Sequence, residues 1–134
     1  MNSLLENKQG FTLIEIMAVL VIMGVMASVA VSKINDISGT AELRALETGI
    51  AELNVRETLY WTNAKFASGG GWSGNGGDNF VWTTMMVLNT DLGSEYFWTA
   101  PPTAGGGELN FSSQSYNLIR TPSTNITSAR WAPT

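Results

Sequence analysis

From Ile16 to Val31 every residue is apolar or small except Ser28, and Phe11 to Glu15 extend the run at its front. The whole is about 20 residues long, enough to cross a bilayer as a helix. Lys33 and Asp36 close it. Such a segment constrains the fold more than anything after it, because no small core can bury it on all sides. Near its start stands a single carboxylate, Glu15. An acidic side chain at a membrane centre costs about 2.5 to 3.5 kcal/mol on insertion scales, so Glu15 needs a partner.

Three readings of the segment compete: a plain transmembrane anchor, a secretory signal peptide, and an anchor that begins just after a processing site. For the signal peptide speak Lys8 as a basic n-region and Ser28-Val29-Ala30 as a small-residue cleavage site. Glu15 at the head of the apolar region speaks against it. A cut between Gly10 and Phe11 would place a new amino terminus one helical turn before Glu15, at the same depth. Ammonium and carboxylate could then pair within one chain or between neighbours, and because an unpaired buried charge is destabilising, the pairing would enforce register.

The order Gly10-Phe11-Thr12-Leu13-Ile14-Glu15, after a short hydrophilic leader with Lys8 and before a long apolar helix, resembles the class III signal of type IV pilins and of the related pseudopilins of type II secretion. The likeness runs from Lys8 to about Phe66 and becomes one of general architecture beyond. It implies that a membrane prepilin peptidase cleaves between Gly10 and Phe11 and methylates the Phe11 amine, and that Glu15 neutralises a neighbouring subunit's amine during assembly. The implied fold is α+β: a long N-terminal helix, transmembrane in its first half, packed by its second half on a small antiparallel sheet. The expected divisions are a leader (1–10), a membrane and filament-core half-helix (11–33), an amphipathic half-helix (34–66) and a small sheet head with a glycine-rich loop (67–134). Implied partners are further copies in a helical homopolymer, the prepilin peptidase, inner-membrane assembly machinery and, before assembly, the membrane itself. The implied route runs from a single-pass inner-membrane precursor to an extracellular pilus or a periplasmic pseudopilus. Many members of that family carry a proline where Val31, Ser32 and Lys33 stand; here Gly24, Gly39 and Gly49 are the intrinsic weak points of the helix.

Composition narrows the function classes. The 134 residues contain no cysteine and no histidine, which removes disulfides, thiolate chemistry and the commonest general base and metal ligand. Seven basic residues are scattered through a chain of net charge −4, so no cationic footprint for nucleic acid is present. Enzymatic activity is not expected. The head, at about 65 residues, is of a size that usually needs help from a helix or a neighbour.

Along 34–66, Leu43, Leu46, Ile50 and Leu53 recur at helical spacing, while Glu42, Arg44, Glu47, Glu52, Arg56 and Glu57 are assigned to solvated faces, with Glu52 and Arg56 placed for an i,i+4 pair. Ser68 to Asn79 reads as a flexible glycine-rich connector without a phosphate-loop ending. Expected strands are Phe80–Leu88 (or a short helix), Glu95–Thr99, Glu108–Ser112 and Ser115–Arg120, with a tight connection at Ser113-Gln114. Pro101, Pro102 and Gly105 to Gly107 are expected to form a loop, and the tail from Thr121 is polar apart from Ile126 and Trp131. Calcium is the one cofactor considered, through Asp78, Asn79, Asp91 and Glu95. Trp61, Trp72, Trp82, Trp98 and Trp131 are assigned to packing, and Asn110 and Asn125 stand in N-x-[ST] sequons. The expected function is a structural subunit of a type IV pilus, serving adhesion, surface motility or biofilm formation. The alternatives are a pseudopilin driving exoprotein export and, below it, a minor pilin for DNA uptake or ligand binding.

Overall fold

The computed structural model describes residues 10–67 and 69–134; Lys8 and the rest of the leader before Gly10 lie outside them. The architecture is α+β, with helix α1 (Leu13–Phe66) followed by short helical turns and a four-stranded sheet. Two compact units divide the chain, Met1–Ser38 and Gly39–Thr134.

In the first unit every described residue is exposed, including Ile16, Leu20, Val25 and Val31. The apolar run is thus helical and has no cover within its own unit. Helical assignment continues through Gly24 and Gly39, and a Cβ built at either meets nothing within 4 Å.

The second unit is held by the later turns of α1. Leu46, Ile50 and Leu53 follow one another at steps of four and three, as one helix face requires, and all three are buried. They pack with Trp82, Met86, Leu109, Leu118 and Trp131 in a single core. The sheet that supplies Leu109, Leu118 and Trp131 to this core is antiparallel in the order β1 (Tyr96–Thr103), β2 (Gly106–Phe111), β3 (Gln114–Thr121) and β4 (Arg130–Pro133). Alternation sets its faces: Leu118 is buried and Tyr116 partly so, while Asn117 and Ile119 face solvent.

Of the two forms expected for Phe80–Leu88 the helical one is found, as the tail of α3 (Asp78–Phe80), a π-helical turn (Val81–Met86) and the start of a 3-10 turn (Val87–Asn89). Its buried residues Val81, Trp82 and Met86 are spaced for a helix, not a strand. Other expectations are corrected. Pro101 and Pro102 belong to β1, an edge strand with register shifts on both sides of Ala100. A proline is tolerated there because the outer edge donates no ladder bond. Gly106 and Gly107 begin β2; Gly106 has φ +138 and a Cβ on it would lie 2.0 Å from the Leu118 carbonyl oxygen, so only glycine fits. The tight connection is Ser112-Ser113, one residue earlier than expected, with Ser112 at φ 55. The polar tail supplies β4, whose Trp131 is among the largest fully buried side chains.

The glycine-rich segment is more than a connector. It forms α2 (Gly71–Gly74), and the Trp72 indole N–H donates to Ser123 Oγ at 3.1 Å. Gly77 is buried because the Trp72 ring lies 3.2 Å from where its Cβ would stand.

Candidate functional site

Gly10, Phe11 and Thr12 precede the first helical residue, Leu13, and all three are exposed. The Gly10–Phe11 peptide bond is therefore outside the helix, where a protease can take an extended backbone into its cleft. Thr12 is the N-cap. Glu15 N–H donates to Thr12 Oγ1 at 3.3 Å, and Glu15 Oε2 accepts from Thr12 N–H at 2.7 Å and from Thr12 Oγ1 at 2.9 Å. This is a capping box, in which each residue satisfies the other's otherwise orphaned backbone donor. Both contacts fall on Oε2; among the described residues nothing donates to Oε1. The sequence pattern alone gives Glu15 an amine partner and leaves Thr12 without a role. The signal was present, since Thr-x-x-Glu ahead of an apolar run is the pattern of such a box.

A second cluster, in the head, joins elements far apart in the chain. Arg120 Nε and Nη2 donate to Glu57 Oε1 and Oε2 at 2.5 and 3.1 Å, and its Nη1 and Nη2 donate to Asp78 Oδ2 and Oδ1 at 2.8 and 2.9 Å. Trp131 Nε1–H donates to Glu57 Oε1 at 2.9 Å, and Ser123 gives Asp78 Oδ1 both its N–H and its hydroxyl at 2.7 Å. The side chains of Glu57 and Arg120 have no solvent exposure. Burial alone would push the Arg120 guanidinium down, but hydrogen bonds to Asp78 and Glu57 carry it above its ordinary value. Burial likewise would raise the Asp78 carboxyl; the bonds from Arg120 and Ser123 and the guanidinium charge outweigh it and hold the group below its ordinary value.

Other predicted residues fall as follows. Glu52 and Arg56 form the expected pair at 2.8 Å, and Arg44 pairs with Glu47 at 2.7 Å. Glu57 leaves the solvated set, because it continues the buried stripe of Ile50 and Leu53. Asp78, considered with Asn79, Asp91 and Glu95 for calcium, is instead engaged by Arg120 and Ser123 through both its oxygens. Among the described residues no group of three or more Asp or Glu side chains is placed to hold a metal. Four tryptophans anchor by their indole N–H: Trp61 to the Thr124 carbonyl, Trp72 to Ser123, Trp98 to the Thr90 carbonyl and Trp131 to Glu57. The fifth, Trp82, lies under the Arg120 guanidinium at 5.1 Å. Of the sequon asparagines, Asn110 donates to Thr99 Oγ1 and Asn125 accepts from Lys65 Nζ.

Residues 5–31 match a family model described as the prokaryotic N-terminal methylation motif. No curated protein and no solved structure matches the chain.

Proposed function

We propose that this chain, which carries the class III methylation signal of the type IV pilin and pseudopilin family on a pilin-like α+β fold, is a structural subunit that polymerises into a type IV pilus. The family is one of structural subunits, and its signal implies a membrane-anchored precursor processed by a prepilin peptidase. One observation supports polymerisation above the rest: the methylation motif stands at the head of a helix whose apolar residues have no cover within their unit.

Processing at Gly10 supplies the partner that Glu15 lacks. The amine of Phe11 would arise one residue before Thr12, beside a carboxylate whose Oε2 is held by Thr12. Oε1 is left to accept the amine, from its own chain or a neighbour's. In a bilayer this pairing neutralises both charges, and between chains it fixes the axial stagger. Leaving the membrane for a filament core then costs the apolar helix little, because neighbouring helices replace lipid as its surroundings.

Electron microscopy of the native host tests the reading. Long surface fibres with this protein as main component are expected. Absence of fibres together with defective release of folded exoproteins would overturn it in favour of a secretion pseudopilin.

A further inference from the structure

The head carries opposite charge on the two flanks of α1. On one flank, Asn54 donates to the Trp131 carbonyl at 3.0 Å and accepts from Trp131 N–H at 2.7 Å, and Thr58 shares a hydrogen bond with Ser128 Oγ at 3.2 Å. On the other, Arg56 Nη1 donates to the carbonyls of Asn89 and Asp91 at 2.8 and 2.7 Å. Asn54 and Arg56 are two residues apart, which places them about 200° apart around the helix axis. The segments they fasten therefore lie on opposite sides.

The first flank holds an open groove of about 700 Å³ between α1 and the segment 121–130. Its lining includes the hydroxyls of Thr58, Thr121, Thr124, Thr127 and Ser128 and the guanidinium-bearing Arg130, and no carboxylate. Arg44, Arg56 and Arg120 are each spent on a carboxylate within the chain. Arg130 is exposed and has no ion-pair partner among the described residues. The second flank presents the turn Asp91-Leu92-Gly93-Ser94-Glu95, exposed at every position but Leu92; the cation at its base, Arg56, is bonded to the Asn89 and Asp91 carbonyls and paired with Glu52, so the carboxylates of Asp91 and Glu95 have no ion pair among the described residues. Most of the groove's hydroxyls bond one another or nearby carbonyls, Thr58 with Asn54 and Ser128 and Thr124 with Thr127, so Arg130 is its charged donor; a groove with an unpaired cation and an acidic turn are complementary, yet within one chain the helix stands between them.

We propose that the Arg130 groove receives the Asp91–Glu95 turn of a second copy of this chain. The inference rests on the reading of the chain as a polymer subunit and names which head surfaces meet. Such a contact is heterologous, so repeating it generates an open helical array unless the rotation happens to close a ring. It also covers what a lone chain leaves bare: Val55 and Leu59, 63% and 54% exposed, lie on the face of α1 between the two flanks. Rim charges of this kind steer approach and fix register more than they add affinity.

The absence of native cysteine makes disulfide trapping specific. The full chain carrying Ser94→Cys and Thr127→Cys is assembled in a host that polymerises it and is treated with a mild oxidant. A ladder of cross-linked multimers is expected, with none from either single variant. Arg130→Glu should lower the ladder roughly tenfold, and adding Glu95→Arg should restore it. Filaments that form normally without a ladder, or a ladder unmoved by Arg130→Glu, would overturn this interface and leave the polymer reading intact. Failure of the unsubstituted chain to polymerise would remove that reading and the interface together.

Discussion

Glu57 on α1 and Arg120 on β3 meet in a two-armed ion pair, 2.5 and 3.1 Å long, with neither side chain reaching solvent. The pair ties the helix to the sheet, and through Asp78 and Trp131 it also holds the glycine-rich segment and the last strand. In a head with no disulfide it is the main polar fastening between these elements.

Replacing Arg120 by Met should therefore destabilise the head by about 3 to 5 kcal/mol, since it leaves two carboxylates without their cation, one of them fully buried. Glu57→Gln keeps an acceptor for Trp131 and should cost less. Denaturant unfolding of the detergent-solubilised chain, followed by the fluorescence of Trp82 and Trp131 beside the pair, measures both; equal losses would contradict the account.

Asp78 gives the head an acid limit. Its folded pKa is depressed, so its contribution is complete above the ordinary carboxylate value of about 4 and is lost as pH falls from there through the folded value. The melting temperature should drop on acidification in that window. Asp78→Asn should lower it at neutral pH and flatten its decline below about pH 4; an unchanged acid slope would show that another group carries it.

Gly49 and Gly39 should respond oppositely to alanine. At Gly49 a Cβ would come within 2.8 Å of the Tyr96 ring, which is held in place by a hydrogen bond from its hydroxyl to the Ala45 carbonyl at 2.7 Å. Gly49→Ala should cost about 1 to 3 kcal/mol by overpacking. Gly39 has open space around it, and Gly39→Ala should add up to about 1 kcal/mol of helix stability. Thermal melts of the two variants on opposite sides of the parent check this.

The legible parts of the fold were those with local periodicity. Strands β2 and β3 alternate clearly, and Leu46, Ile50 and Leu53 mark the buried face of α1. Glu57 lies on that same stripe, seven residues after Ile50, but its charge sent it to the solvated set. Its partner is 63 residues away, so nothing local announced that a charge would be satisfied inside. Strand β4 was missed for a similar reason: its four residues include one strong apolar side chain, Trp131, and they pair only because β3 offers an edge. At the N-terminus the methylation motif is legible because its residues are consecutive. The Thr12 cap is equally local, but a carboxylate in an apolar run points first to a cationic partner and so masks its role as a cap.

Glu15→Gln separates the two roles of that carboxylate. Glutamine retains the capping box but carries no charge. If Glu15 serves to pair with an amine, the variant should insert and be cleaved yet polymerise poorly, as should Glu15→Val. Filament yield measured by shearing and electron microscopy reports the outcome; normal yield from Glu15→Gln would reduce Glu15 to a helix cap.

Mass spectrometry of the chain recovered from membrane or filament tests the central claim most directly. The account predicts a mature protein that begins at N-methylated Phe11, with Glu15 five residues in, counting Phe11 as the first. A chain beginning at Val31, after cleavage behind Ala30, or one that keeps its leader when assembled, would contradict it.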